Sequence, residues 1–180
     1  MLISRRQVSL GSISLLASQT LTSAARAQII HGQNYKIRNV KSGRCLSLEG
    51  PNEGWDNNDT SVTINDDLQL PAEDSPQIWK IKTYIYQTYV IINNFSGKYL
   101  SIRDKSQDND ATVIQYEDQE LTFQQWYIVA RAGPVYLIEN VNSGKFIGPH
   151  ARSTDNGTYC IQFDNQSNDD QYQLWAFEPV

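Results

Sequence analysis

Short apolar runs rich in aromatic and β-branched residues recur along the chain after position 28. Three of them are Tyr-Ile-Tyr-Gln-Thr-Tyr-Val-Ile-Ile at 84–92, Val-Ile-Gln-Tyr at 113–116 and Tyr-Cys-Ile-Gln-Phe at 159–163. This composition is typical of β-strands. No stretch of 12 residues in this part of the chain has a convincing helical period, and Ser-Gly, Asn-Gly and Gly-Pro pairs separate the runs. The pattern predicts an all-β domain made of successive hairpins.

Two motifs each occur three times, in step with one another. The first is Gln-x-Trp, whose tryptophans are spaced by 47 and 49 residues: Trp79, Trp126 and Trp175. The second is Tyr-x-Ile-x-Asn-x-x-Ser-Gly followed by Arg or Lys, and it begins at Tyr35, Tyr89 and Tyr136. Such regular spacing indicates an internal repeat. We place the three units at about 33–82, 83–129 and 130–180.

Each unit has room for four short strands, because it contains about 50 residues. The third strand of each unit is expected to end near Ile64, Tyr116 and Phe163. One such unit cannot bury both of its faces. Three units around a pseudo-threefold axis can close a barrel and cap it with hairpins. The sequence therefore predicts a β-trefoil.

Residues 1–27 have the features of an export signal. Arg5 and Arg6 precede a mildly apolar stretch, 8–21, that is too short to span a membrane. The sequence around the paired arginines resembles a bacterial twin-arginine signal. Ala25-Arg26-Ala27 has small residues where a signal peptidase cuts, so we expect a mature protein that starts at Gln28 and is secreted or periplasmic. A disordered N-terminal tail is the alternative.

The expected mature chain is a single acidic domain, 28–180. Loss of three signal arginines leaves 12 basic and 20 acidic side chains, a formal charge of −8. Nucleic acids and anionic membranes need clustered Lys and Arg, so both are poor candidate partners. Cys45 and Cys160 are the only cysteines. One disulfide is possible by count, but both lie in apolar runs, and we expect two buried free thiols.

The repeated Gln-x-Trp motif, together with Asn-x-x-Ser-Gly-Lys near the start of a unit, resembles the ricin B-type lectin domain over the whole mature chain. The resemblance implies a β-trefoil that binds carbohydrate in shallow pockets, up to one per unit. In that family the repeated tryptophans fill the core, while each Gln of the motif ties down a neighbouring turn. We assign Trp79, Trp126 and Trp175 this structural role, since large buried aromatic residues suit it. Asn39, Asn93 and Asn140 are interpreted as turn residues.

Sugar binding in this family uses an aromatic residue near the end of the third strand. Tyr116 and Phe163 match that position, and unit one has Ile64 there by our alignment. The family usually has an Asp two residues after the aromatic residue or Cys of the second strand, but this chain has Ser47, Ser101 and Gly148. A galactose-specific site of the usual design is therefore not expected.

Other polar groups could take the place of that Asp. Glu117 and Asp164 follow the two aromatic residues, and Asp104 begins the loop after the second strand of unit two. The alternative is that all three are ordinary loop carboxylates exposed to solvent. Trp55 lies outside both repeats, in a loop rich in Gly, Asn and Asp. We expect it to be exposed, where it could stack on a sugar or on a partner protein, the alternative being that it folds back over the loop.

The sequence contains no pattern that predicts catalysis or a cofactor. The mature chain has two histidines, His31 and His150, and it lacks a Gly-x-Ser-x-Gly motif and a metal triad. An acidic loop starting at Asp104 lacks the Gly and Glu of a helix-loop calcium site. We therefore predict a monomeric, non-enzymatic module that binds a glycan or polysaccharide. The alternative is a β-trefoil that has lost sugar binding and binds or inhibits another protein through its loops.

Overall fold

The computed structural model describes residues 28–50, 54–167 and 170–180, and the proposed export signal lies outside them. Twelve strands are present in this part of the chain, four in each unit. Unit one contains β1 to β4: Asn34–Asn39, Cys45–Leu48, Val62–Asn65 and Ile78–Thr83. Unit two contains β5 to β8: Tyr89–Asn93, Tyr99–Ile102, Val113–Tyr116 and Trp126–Ala130. Unit three contains β9 to β12: Val135–Asn140, Phe146–Pro149, Thr158–Phe163 and Leu174–Pro179. Short 3₁₀ turns occupy Ile85–Gln87, Arg103–Lys105, Thr122–Gln124 and His150–Arg152.

Six of the strands form a closed antiparallel barrel in the order β1, β4, β5, β8, β9, β12 and back to β1. The registers repeat from unit to unit. The Tyr that opens each repeat is paired with a Gln-x-Trp tryptophan: Tyr35 with Trp79, Tyr89 with Trp126 and Tyr136 with Trp175. A closed barrel has no free edge, and this repeated pairing explains why the two motifs occur in step.

The remaining strands form three hairpins that cap one end of the barrel: β2–β3, β6–β7 and β10–β11. Adjacent hairpins are joined in a ring by three sets of antiparallel pairs: Ser61 with Ile114, Thr112 with Ile161, and Thr158 with Ile64. Barrel and cap together have threefold pseudo-symmetry. The predicted β-trefoil is confirmed.

The three repeated tryptophans are completely buried. Each indole Nε1 donates to a backbone carbonyl of the second strand in its unit, at Leu46, Leu100 and Ile147, over 2.9 to 3.1 Å. Because a buried N–H without an acceptor is costly, this bond fixes the ring in the core. The prediction that the three repeated tryptophans fill the core is confirmed.

Buried amides fix the loops around this core. The Gln77 side chain accepts from Leu68 N–H at 3.0 Å and donates to the Asp66 carbonyl at 2.8 Å. Gln124 and Gln173 make equivalent bonds in the other units. The Asn39 carbonyl oxygen accepts from the N–H groups of Lys41 and Ser42, as expected of a turn residue. Its amide nitrogen also donates to the Tyr172 carbonyl at 2.9 Å, which links unit one to unit three.

One predicted strand is shorter in the structure than the sequence indicates. The strand signal at 84–92 is interrupted, because a tight turn at Ile85–Gln87 reverses the chain and β5 begins only at Tyr89. Tyr86 in that turn has φ 52° and is 88% exposed.

The two cysteines are free and fully buried, as expected. Burial raises the pKa of the Cys45 thiol to about 11 and also raises the pKa of Cys160.

Candidate functional site

Three clefts lie at equivalent places in the three units. Each is bordered by the ends of the second and third strands of its own unit and by an asparagine from the neighbouring unit. Cleft one is bordered by Leu48, Asn65 and Asn156, cleft two by Ile102, Tyr116 and Asn58, and cleft three by Pro149, Phe163 and Asn109. Their volumes are about 680, 500 and 260 Å³. The clefts therefore share one position in the fold but differ in size.

The asparagine of the neighbouring unit is held in the same way each time. The side-chain oxygen of Asn58 accepts from Glu117 N–H at 3.0 Å, Asn109 accepts from Asp164 N–H at 3.0 Å, and Asn156 accepts from Asp66 N–H at 2.7 Å. Sequence reasoning missed these residues. The signal was a third repeat register, Asn followed by Asp or Gly at 58, 109 and 156, with spacings of 51 and 47 residues.

Strand register decides which side chain occupies the aromatic position. Tyr116 pairs with Tyr99, and Phe163 pairs with Phe146. In unit one the residue paired with Cys45 is Asn65, and Ile64 pairs with the preceding Leu46. The assignment of Ile64 to this position is therefore wrong by one residue. Ile64 is fully buried, while Asn65 lines cleft one, so cleft one has no aromatic side chain at this register position.

Cleft two combines an aromatic ring with several polar groups. Tyr116 is half-buried at one side of it. Asp104 is exposed and lines the cleft, and its carboxylate has no hydrogen-bond or ion-pair partner among the described residues. Asn58 and Gln119 contribute amides. Such a set can pack against an apolar ring face and hydrogen-bond hydroxyl groups at its edge.

The positively charged side chain that lines cleft two, Lys105, contacts an aromatic ring of the protein. The Lys105 ammonium lies 5.3 Å from the centre of the Phe123 ring, which also lines the cleft. Asp59, another lining residue, forms an ion pair with Arg103 at 2.9 Å. Asp104 is therefore the carboxylate of cleft two that has no ion-pair partner among the described residues.

Cleft three is smaller than cleft two, and its charged lining residues are Asp110 and Arg152. Phe163 lies beside the side chains of Gln166, Asp110 and Arg152. The Arg152 guanidinium donates to the buried carboxylate of Asp170 at 2.9 Å and lies 4.7 Å from the centre of the Tyr172 ring. The cationic side chain is therefore held in place by two contacts at the border of the cleft.

A family model described as ricin-type β-trefoil lectin domain-like matches residues 25–116 and 122–180. This chain belongs to that family.

Solved structures support the fold assignment. The chain is 24% identical to the designed threefold-symmetric protein ThreeFoil, with a TM-score of 0.74, and the match covers 82% of this chain and 99% of ThreeFoil. It is 20% identical to the Macrolepiota procera ricin B-like lectin in complex with lactose, with a TM-score of 0.69, covering 85% of this chain and 99% of the lectin. An exo-β-1,3-galactanase from Clostridium thermocellum is 24% identical with a TM-score of 0.74, and the match covers 85% of this chain but 31% of the galactanase. No match was found among curated protein sequences.

The position that usually holds Asp in the ricin B-type family is occupied by small residues in this family member. Ser47 and Ser101 are fully buried, and their hydroxyls donate to the carbonyls of Leu48 and Tyr99. At Gly148 an added Cβ would lie 2.8 Å from the Tyr172 carbonyl oxygen and 2.9 Å from the Phe163 ring. Ser47 is among the residues lining cleft one, but Ser101 and Gly148 line neither cleft two nor cleft three.

Two of the predicted site residues lie outside the lining of the clefts. Glu117 is exposed but does not line cleft two. Asp164 does not line cleft three, because one carboxylate oxygen is 2.6 Å from the Lys145 ammonium and the other accepts from the Asn109 amide at 2.9 Å. The Lys145 hydrogen bond, followed by that of Asn109, lowers the pKa of Asp164. Asp164 thus fixes the loop that borders the cleft.

Trp55 lies in cleft one, but the expectation that it is exposed is wrong. Its side chain is only 8% exposed, and Nε1 donates to the Gly50 carbonyl at 2.9 Å. Its ring packs edge-on against Phe95 with the centroids 5.7 Å apart. The side chain folds back over its own loop because it can bury apolar area and satisfy its N–H there. Trp55 therefore forms a wall of cleft one.

The described residues contain no group of three or more His, Cys, Asp or Glu side chains placed to hold a metal ion. No helix in this part of the chain is long and apolar enough to cross a membrane.

Proposed function

We propose that this protein is an exported carbohydrate-binding module without catalytic activity of its own, and that clefts two and three bind the glycan. The observation that carries the proposal is the aromatic side chain at the same register position in both clefts, Tyr116 and Phe163. Each ring lies beside an asparagine and an aspartate from the neighbouring unit. Pyranose rings have an apolar C–H face and a hydroxyl edge, which these two kinds of group complement.

Cleft two is the better sugar site. It has about twice the volume of cleft three, and its Asp104 carboxylate is unpaired among the described residues. A carboxylate is a strong hydrogen-bond acceptor for hydroxyl groups. Asp104 has φ 56°, so the turn at Arg103–Lys105 sets the position of its side chain.

The hydroxyl-binding groups differ from the usual galactose-type arrangement. The Macrolepiota procera lectin structure contains lactose, but here Ser47, Ser101 and Gly148 replace the usual Asp. We infer that Asp104 and the amides of Asn58 and Gln119 recognise the sugar instead. Such shallow sites bind single sugars weakly, and two of them on one molecule favour a glycan or polysaccharide with repeated epitopes.

The histidines do not support an enzymatic role. His31 Nδ1 is 2.6 Å from the Thr83 hydroxyl, and His150 packs beside the Tyr159 ring. Neither lines cleft two or cleft three. We therefore propose that the protein binds its ligand without catalysing a reaction. We also propose that it acts as a monomer.

A glycan array with the purified protein tests the proposal, followed by isothermal titration of any glycan that binds. We expect Tyr116→Ala to weaken binding at cleft two by about tenfold or more, since loss of the ring removes at least 1.4 kcal/mol. Phe163→Ala should remove the weaker site. Asn65→Ala is the matched control, because it changes the equivalent position of cleft one. Absence of binding across a broad panel, or unchanged titrations for the Tyr116→Ala/Phe163→Ala double variant, would refute the proposal.

Export through residues 1–27 is a separate part of the proposal. It is supported by the paired Arg5 and Arg6 and by the small residues before Gln28. In a bacterial host, replacing both arginines by lysine should leave the protein in the cytoplasm. Unchanged export of that variant would argue against the twin-arginine route.

A further inference from the structure

Cleft one is bordered by the two places where unit one is longer than the other units. The repeated asparagine Asn58 lies 10 positions after the end of the second strand at Leu48, whereas in units two and three it lies 7 positions after that end. The Gln of Gln-x-Trp lies 12 positions after the end of the third strand in unit one, against 8 and 10 positions in units two and three. Both longer segments contribute to cleft one, which is the largest of the three.

The longer segments add apolar side chains to cleft one. One of them provides Trp55 and the other provides Leu68 and Leu70. Leu68 and Leu70 are 43% and 42% exposed, and Phe95 of unit two, 37% exposed, completes the wall. Clustered exposed apolar side chains around a cavity are typical of interaction sites.

The same cleft carries acidic groups. Asp66 is paired with Arg44 at 3.0 Å. The Asp74 carboxylate lines the cleft and has no hydrogen-bond or ion-pair partner among the described residues. An occupant of cleft one would therefore gain from an apolar group together with a positive charge.

A sugar suits this cleft poorly. The aromatic position of the other two clefts is occupied by Asn65, and the Trp55 indole is buried against Phe95 with its N–H already bonded. Hydroxyl groups placed against Leu68 and Leu70 would lose water without gaining hydrogen-bond partners, which is costly. A peptide can present an apolar side chain and a basic side chain at adjacent positions.

We propose that cleft one is a docking site for an extended peptide segment of another protein. A large apolar side chain of that segment lies between Leu68, Leu70 and Phe95, and a neighbouring lysine or arginine pairs with Asp74. The site is separate from clefts two and three, so it does not depend on sugar binding there.

The test is selection of a phage-displayed random heptapeptide library on the immobilised protein, with counter-selection on the Leu68→Ser/Leu70→Ser variant. We expect enriched peptides that place a large apolar residue next to Lys or Arg. Synthetic copies should bind the double variant at least tenfold more weakly in titration calorimetry. Asp74→Asn should weaken binding less and should reduce its dependence on salt concentration.

Leu121→Ser is the control, since Leu121 is equally exposed at 43% but does not line cleft one. It should leave peptide binding unchanged, and circular dichroism of every variant should match the parent. Three results would overturn the proposal: no enrichment over the double variant, enriched peptides that lack basic residues, or array glycans whose binding is lost in the double variant. Loss of glycan binding in Tyr116→Ala tests clefts two and three and has no bearing on this site.

Discussion

The indole of every Gln-x-Trp motif is fully buried and donates to the same carbonyl position in all three units, whereas the side chain at the aromatic position of the clefts is Asn65, Tyr116 or Phe163. The interior is shared by three units around one axis, so a change in any unit disturbs the packing of the other two. Each cleft opens to solvent and is bordered by the loops of its own unit and by an asparagine of the neighbouring unit. The core can therefore keep its symmetry while the clefts acquire different chemistry.

The largest effect should come from breaking the shared interior. Trp126→Ala removes a completely buried indole and its 3.1 Å bond to the Leu100 carbonyl. We expect the free energy of unfolding to fall by about 3–5 kcal/mol, as for other large aromatic truncations in cores. Urea denaturation measures this. The adjacent Tyr127 is 39% exposed, so Tyr127→Ala should cost far less. Equal losses for the two variants would contradict the structural role of the repeated tryptophans.

A smaller effect is expected where the interior meets a cleft. The Gln124 side chain accepts from Gln119 N–H at 2.8 Å and donates to the Glu117 carbonyl at 2.8 Å. Gln124→Ala leaves these backbone groups without partners and should reduce the free energy of unfolding by about 1–3 kcal/mol. Hydrogen exchange at the Gln119 amide should become faster. Gln119→Ala, which changes a side chain with no partner among the described residues, should not reproduce the loss. A Gln124→Ala variant with parental exchange would show that the loop is held by other contacts.

The smallest effect concerns a contact that only unit one has. Asp67 lies in the longer loop that carries Leu68 and Leu70, and it accepts from Lys36 at 2.8 Å and from Arg38 at 3.1 Å. The equivalents of Lys36 in units two and three are Val90 and Leu137. Burial opposes the charged form of Asp67, but hydrogen bonds from Lys36, the Gln69 backbone N–H and Arg38 outweigh it and lower its pKa to about 2.

Since this folded-state pKa lies below the usual aspartate value, the carboxylate stabilises the protein above pH 4 and loses that contribution as the pH falls towards 2. Asp67→Asn should cost about 1 kcal/mol at pH 7, after allowance for solvent screening, and should flatten the stability profile between pH 4 and pH 2. Denaturation at a series of pH values measures both. Asp56→Asn, an exposed acid with no partner among the described residues, should leave the profile unchanged. A parental slope in Asp67→Asn would mean that other carboxylates account for the acid sensitivity.

Much of the fold could be predicted because its main determinants are local and repeated. The Gln-x-Trp and Tyr-x-Ile motifs identify the units, and the repetition of Trp79, Trp126 and Trp175 predicts their place in the core. Turn chemistry was equally local, since the side chain of Asn39 bonds groups two and three residues ahead. Interruption of the strand signal at Tyr86 was not predicted, because aromatic and β-branched residues also occur in the tight turn that the barrel hairpin requires.

The sequence alone determined that three similar units enclose a common apolar interior, since the residues that must be buried recur in a fixed register. The contents of each cleft depend on contacts that form when the chain folds. Asn58 comes from the preceding unit and lies beside Tyr116, where it bonds the next residue. The strand pairing places Asn65, and not Ile64, at cleft one. Trp55 is buried because Phe95, 40 residues further along the chain, packs against it. These neighbours are brought together by closure of the barrel and cap, and a local sequence pattern does not encode contacts made across that closure.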